Sequence, residues 1–73
     1  MADQPQQASH FWFMNVVGRN PLGLRQEDHA GHIDLPDGAT RWDMYRHIRD
    51  MVADLSGLKE LTVIAFDIQP NKL

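Results

Sequence analysis

The first apolar segment, His10 to Val17, is aromatic and β-branched, and Gly18 ends it. This composition predicts a β-strand. Alternation divides the strand into two rows, Phe11, Phe13, Asn15 and Val17 on one face and Trp12, Met14 and Val16 on the other. Both rows are mostly apolar, whereas a half-exposed strand alternates apolar and polar residues. We therefore expect this strand to lie in the middle of a sheet or to face a partner on one side.

The segment Gly18 to Gly31 contains three glycines and an Asn-Pro pair, which is typical of a connection. Its length exceeds the roughly 2–5 residues of an ordinary hairpin loop. Either the neighbouring strands extend into it or the loop is functional. His32 to Leu35 then alternates polar and apolar residues and predicts a second strand, with Ile33 and Leu35 facing inward and Pro36 ending it.

The segment from Arg41 to Leu55 has the spacing of an amphipathic helix. Thr40 is a candidate N-cap, with Asp43 three residues later as its capping-box partner, and Gly57 is a candidate C-terminal cap. The apolar positions that share one helix face are Met44, Ile48, Met51, Val52 and Leu55.

A last strand is predicted from Leu61 to Ile68, with Leu61, Val63 and Ala65 opposite Thr62, Ile64, Phe66 and Ile68. The element order predicts an α+β fold of ββαβ type. The first two strands would form an antiparallel hairpin, and the first, apolar on both faces, would be central. We expect a three-stranded mixed sheet of order 2-1-3, with the third strand parallel to the first and the helix on one face.

This element order resembles the ubiquitin-like β-grasp fold over residues 10–68. The chain ends Pro70-Asn71-Lys72-Leu73 without a Gly-Gly terminus, so the resemblance does not imply conjugation chemistry. With its aromatic first strand, its helix start at Gly38 to Arg41 and its Pro70 to Leu73 end, the sequence is also similar to short uncharacterised bacterial proteins. Some of these are carried by phages or mobile elements, which implies an accessory or inhibitor protein and no particular activity.

Composition narrows the class of protein. The chain has 73 residues, no cysteine, 42% hydrophobic residues and a net charge of −3. This allows a single small domain at residues 10–73, with residues 1–9 as a disordered polar tail, and it excludes disulfides and thiolate metal sites. We expect a cytoplasmic protein, since no apolar run is long enough for a membrane span and no signal peptide is present.

One helix covers only one face of a three-stranded sheet, so an apolar row of the first strand should remain exposed. We therefore expect a non-enzymatic protein-interaction module that presents this face, and in addition an exposed sheet edge, to a second copy (a homodimer) or to a larger host protein. The long loop and the tail could instead fold over that face. The candidate interface residues are Phe11, Trp12, Phe13, Met14, Trp42, Tyr45, Ile64 and Phe66. Trp42 and Tyr45 could equally be core.

Other chemistry has weaker support. An alternative function is nucleic-acid binding through Arg19, Arg25, Arg41, Arg46 and Arg49, although interleaved acids make a mixed solvated helix face the simpler interpretation. The densest set of potential metal ligands is Glu27, Asp28, His29, His32 and Asp34, which lacks the spacing of a known metal motif, so we predict no metal site. We also predict no catalytic residues and no cofactor, because no nucleophile has a spaced partner and no glycine-rich phosphate loop follows a strand.

Overall fold

The computed structural model describes residues 9–71. Its elements are strand β1 (His10–Asn20), strand β2 (Gly23–Ile33), helix α1 (Arg41–Ser56) and strand β3 (Lys59–Pro70). This confirms the predicted order. The predicted tail at 1–8 lies outside the described residues. Its last member, Ser9, is described, and its carbonyl accepts a hydrogen bond from the Asn71 N–H at 2.8 Å.

The β1–β2 connection is a tight hairpin, so of the two alternatives for residues 18–31 the structure shows the neighbouring strands extended into the segment and no long loop. The two strands pair without interruption from His10↔Ile33 to Asn20↔Gly23, leaving only residues 21–22 as the turn. The Asn20 side chain accepts the Leu22 N–H at 2.9 Å, and Gly23 has φ 120°, which the turn requires and which glycine adopts readily. The segment looked like a loop because most of β2 is exposed and polar.

The sheet order is β2-β1-β3, as predicted, but β3 pairs antiparallel with β1. The prediction of a mixed sheet with a parallel third strand is therefore wrong. The single helix returns the chain to the end of the sheet where β2 began, so β3 runs in the direction of β2 and opposite to β1. The order of elements remains compatible with a β-grasp-like arrangement.

Helix α1 begins and ends at the predicted caps. Thr40 Oγ1 accepts the Asp43 N–H at 3.1 Å, while the Asp43 carboxylate accepts the Thr40 N–H at 3.1 Å, which closes the capping box. Gly57 at φ 70° forms the left-handed C-terminal cap, and its N–H donates to Ala53. The described part of the chain has no helix that is both long and apolar enough for a membrane span.

The core lies between α1 and one face of the sheet. The β1 row Trp12, Met14 and Val16 packs against Ile48 and Val52, with Leu61, Val63, Phe66 and Ile68 of β3 partly buried around it. Leu55 was predicted on the buried helix face and is 71% exposed. It lies in the last helical turn beside Met51 and Asp54, and Leu58 after the cap is the buried residue instead.

Close packing fixes the position of β1 beneath the segment that connects α1 to β3. A Cβ placed on Gly18 would lie 2.7 Å from Leu58 Cβ and 3.0 Å from the Lys59 carbonyl oxygen. Gly31 lies under the Trp12 indole, where an added Cβ would be 3.1 Å from Nε1. The Trp12 row is therefore the covered one, and the Phe11 row is left on the opposite face.

Candidate interaction surface

The open face is the side of the sheet opposite α1. Strand alternation brings there Phe11, Phe13, Asn15 and Val17 of β1, Gln26, Asp28, Ala30 and His32 of β2, and Thr62, Ala65, Asp67 and Gln69 of β3. No described element packs over this face. Phe11 remains 41% exposed, and Phe13 and Val17 are half-buried only by their neighbours in the sheet.

A bulge in β3 decides which of its residues reach the open face. The pairing with β1 shifts between Asn15 and Val16, so that Asn15↔Ala65 is followed by Val16↔Val63 and Ile64 has no partner. Ile64 is 58% exposed. The shift also changes the alternation of β3, and for this reason Phe66 lies on the helix side together with Val63 rather than opposite it.

The open face has an apolar centre and a polar border. Its central β1 row is apolar except for Asn15, and most of its β2 and β3 residues are polar. The Asn15 carbonyl oxygen accepts a hydrogen bond from Gln26 Nε2 at 2.9 Å, and its amide donates to Asp28. The one polar residue of the central row is thus already hydrogen-bonded within the sheet, and covering it would leave it paired.

Phe11 also has a partner on this face. Its ring meets the His32 imidazole edge to face, with ring centroids 5.8 Å apart and an interplanar angle of 61°. Such contacts hold aromatic rings in one orientation. Phe11 is therefore a partly preorganised apolar side chain at one end of the open face.

The structure separates the eight predicted interface residues into three groups. Phe11, Phe13 and Ile64 lie on or beside the open face. Trp12 and Met14 are 4% and 0% exposed beneath α1, so including them was wrong. The remaining three, Trp42, Tyr45 and Phe66, line a separate groove.

That groove lies between the start of α1 and β3 and has a volume of about 410 Å³. Trp42 stacks on Tyr45 at 5.5 Å between centroids, and Tyr45 meets Phe66 edge to face at 5.4 Å. Arg41 lies 5.6 Å from the Phe66 ring centroid. Tyr45 and Phe66 contact the core, whereas Trp42 is 62% exposed. The sequence left open whether Trp42 and Tyr45 belong to the core or to an exposed surface. In the structure Tyr45 packs against the core and Trp42 is exposed.

Two of the five candidate nucleic-acid residues, Arg41 and Arg19, lie far apart and each is paired with an acidic residue. Arg41 pairs with Asp67, opposite Phe13 in the register, and Arg19 pairs with Glu60 at the hairpin end of the sheet. The six-residue separation along β1 corresponds to about 20 Å. Arg46 and Arg49 are exposed on the helix, on the other side of the sheet from the open face. Both ion pairs are largely solvent-exposed and contribute little to stability.

Alternation also divides the predicted metal-ligand set. Glu27 and His29 point to the helix side, where they pair with each other at 2.9 Å, while Asp28 and His32 point to the open face. Within residues 9–71 no group of three potential ligands is close enough to hold a metal ion.

Sequence reasoning did not place Gln26, Asp28 and Ala30 on the open face, because it predicted no definite strand within residues 18–31. Period-two alternation of exposed residues against the Phe11 row was the signal that could have identified them. Comparisons with protein-family models, with curated proteins and with solved structures find no match for this chain. The candidate surface therefore depends on its geometry alone.

Proposed function

We propose that this protein is a non-enzymatic interaction module that docks an apolar surface of another protein chain on its open face. The observation that carries the proposal is the row of Phe11, Phe13 and Val17, which has no covering layer among the described residues. An exposed apolar row of this kind, interrupted only by the hydrogen-bonded Asn15, is typical of an interface on a small domain.

The arrangement of residues supports a protein partner. Specific interfaces combine an apolar, often aromatic centre with a polar rim that stays near solvent. The open face has the same arrangement, with Phe11 and Phe13 in its central row and residues such as Thr62, Asp67 and Gln69 at its border. The central row of this face carries no charge, since its acidic residues, Asp28 and Asp67, lie on the outer strands.

The size of the face supports a weak or transient complex. Three strands of about eleven residues span roughly 35 by 14 Å, or about 500 Å². Docking against a face of equal size would bury about 1,000 Å² in total, the lower limit for a specific interface.

The experiment compares two exposed apolar residues on opposite sides of the molecule. Three forms of the chain are immobilised, the wild type, Phe11→Glu and Leu55→Glu, and each is used to capture binding partners. Additional copies of the chain itself count as captured partners. Phe11 is 41% and Leu55 71% exposed, so neither substitution places a charge in the core. We expect Phe11→Glu to lose the captured chains and Leu55→Glu to retain them. Equal capture by both variants, or equal loss, would refute the proposal.

A further inference from the structure

The charges of α1 alternate in sign along the sequence but separate around the helix. At 3.6 residues per turn, successive residues are about 100° apart. Trp42, Arg46 and Arg49 then lie within about 60° of one another around the helix axis. Together with their neighbours on the adjacent turns, Arg41 and Tyr45, they form what we call the arginine flank.

The acidic residues of the helix lie on its other flank. Asp43, Asp50 and Asp54 lie within about 40° of one another. Asp50 and Asp54 line a surface depression together with Leu55, and the Asp43 carboxylate is bound in the capping box with Thr40. The arginine flank is therefore a local concentration of positive charge on a chain whose net charge is −3.

The arginines of this flank are available to an anion. Arg46 and Arg49 are exposed and form no ion pair with any residue that the structure describes. Arg41 is paired with Asp67 at 3.7 Å, but both side chains are more than half exposed and such a pair is weak. An anionic ligand can therefore contact all three guanidinium groups without first breaking a buried ion pair.

Trp42 provides a flat apolar surface among these guanidinium groups. It is 62% exposed and stacks on Tyr45 with an interplanar angle of 20°. Tyr45 is held in turn by the edge-to-face contact with Phe66. One side of the indole is thus supported by the protein, and its exposed side is oriented before a ligand arrives.

We propose that the arginine flank binds a short single-stranded segment of nucleic acid, with one base stacked on Trp42 and the adjoining phosphates on Arg46 and Arg49. Proteins that bind single strands without sequence preference combine aromatic stacking with positive charge in this way. The flank extends about 12 Å from Arg41 to Arg49, the length of about three to four stacked nucleotides. This site lies on the helix and goes beyond the protein docking proposed for the open face.

The groove beside Trp42 favours a base over an acidic peptide. Its lining residues are Arg41, Trp42, Tyr45 and Phe66, so its polar side-chain groups are one guanidinium and one hydroxyl. A peptide laid in this groove would bury backbone N–H and C=O groups with few partners, which is unfavourable. A stacked base instead buries its apolar face on the indole and keeps its polar edge in water.

Binding of a fluorescein-labelled oligothymidylate of about eight nucleotides, measured by anisotropy at low salt, tests the stacking. Trp42→Ala should raise the dissociation constant roughly tenfold, whereas Leu55→Ala, an exposed position on the opposite flank, should leave it unchanged. Trp42→Phe, which keeps a ring on which a base can stack, should lose less than Trp42→Ala. Equal dissociation constants for the two alanine variants, or a wild-type chain that does not bind at about 1 mM, would overturn the proposal.

The salt dependence of the same binding tests the phosphate contacts. Each lost phosphate contact should reduce the slope of log K against log salt by about 0.7, so Arg46→Gln with Arg49→Gln should reduce it by about 1.4. Arg19→Gln with Arg25→Gln removes the same charge near the β1–β2 turn and should leave the slope unchanged. Equal reductions by both pairs would refute a site on the arginine flank, because they would show attraction to the chain as a whole.

Two competing probes separate nucleic acid from other ligands. A polyglutamate peptide of equal charge and a duplex of equal length should both bind more weakly than the oligothymidylate, since neither offers an unstacked base to Trp42. Polyglutamate binding as tight as that of the single strand would identify a site for acidic peptides and overturn the proposal. Trp42→Ala should still capture protein partners as the wild type does, and Phe11→Glu should still respond to Trp42→Ala in oligothymidylate binding, so the two proposals can fail separately.

Discussion

The placement of α1 can be tested by shortening one buried and one exposed side chain of the helix. Ile48 is 0% exposed between the sheet and the rest of the core, and its truncation to alanine should cost about 3 kcal/mol of unfolding free energy. A domain of this size has roughly 3–9 kcal/mol in all. Leu55→Ala, on the same helix and 71% exposed, should cost less than about 0.5 kcal/mol.

Urea unfolding followed by circular dichroism measures the difference. With a slope near 1 kcal/mol per molar urea, Ile48→Ala should lower the midpoint by about 3 M and Leu55→Ala by less than about 0.5 M. Ile48→Val, at about 1 kcal/mol, gives a folded intermediate case if the alanine variant does not fold. A Leu55 loss as large as that of Ile48 would mean that the helix is rotated on the sheet. The helix would then have a different buried face, and the description of the open face would no longer stand.

Four further predictions concern the helix cap, the tight packing and the surface charges. Thr40→Ala removes the N-cap and should lower the unfolding free energy by about 1 kcal/mol in urea titrations. Hydrogen bonds with the Thr40 backbone and side chain lower the pKa of Asp43 below 3.8. The ionised Asp43 carboxylate therefore stabilises the folded state above that pH, and this stabilisation is lost as the pH falls through the folded-state pKa. The stability of Asp43→Asn should therefore fall less steeply in acid than that of the wild type, and parallel pH profiles would contradict the capping box. Gly18→Ala should destabilise by about 1–3 kcal/mol, because the added Cβ meets Leu58 Cβ and a backbone oxygen that cannot rotate away, and an unchanged melting temperature would argue against this packing. Arg46→Glu with Arg49→Glu should leave capture through the open face unchanged, and a large loss would move the interaction to the helix.

Local sequence patterns were sufficient to predict much of the fold. The helix limits follow from Thr40, Asp43 and Gly57, whose caps depend only on residues a few positions apart. The central position of β1 follows from its two apolar rows, and the structure confirms it. Both signals are short in range, so neighbouring residues alone determine them.

The orientation of β3 and the extent of β2 could not be predicted from neighbouring residues, because both depend on contacts between distant parts of the chain. Pairing between residues as distant as His10 and Pro70 leaves no local mark, and the direction of β3 depends on where the helix ends over the sheet. The prediction placed the second strand at His32 to Leu35 and did not extend it back to Gly23, because most of β2 is polar and has no apolar row of its own.

From the sequence, the exposed row of β1 could be narrowed to two, the Phe11 row and the Trp12 row, but the choice between them could not be made. Sequence alternation placed Phe11 and Trp12 on opposite faces, but the covered row was decided by packing. The absence of a side chain at Gly31 leaves space for the Trp12 indole, and no such space follows from the spacing of apolar residues. The bulge at Ile64 likewise moved Phe66 to the helix side.

The central strand β1 is made well before its second partner β3. β1 ends at Asn20, whereas β3 begins at Lys59, about 40 residues later. At 5–20 residues per second, a ribosome takes roughly 2–8 seconds to cover that distance. During this interval the β1–β2 hairpin has neither its helix nor its third strand, and an isolated hairpin is marginally stable at best. Trp12 and Met14 are then open to solvent and to chaperones until α1 and β3 have emerged and packed on them.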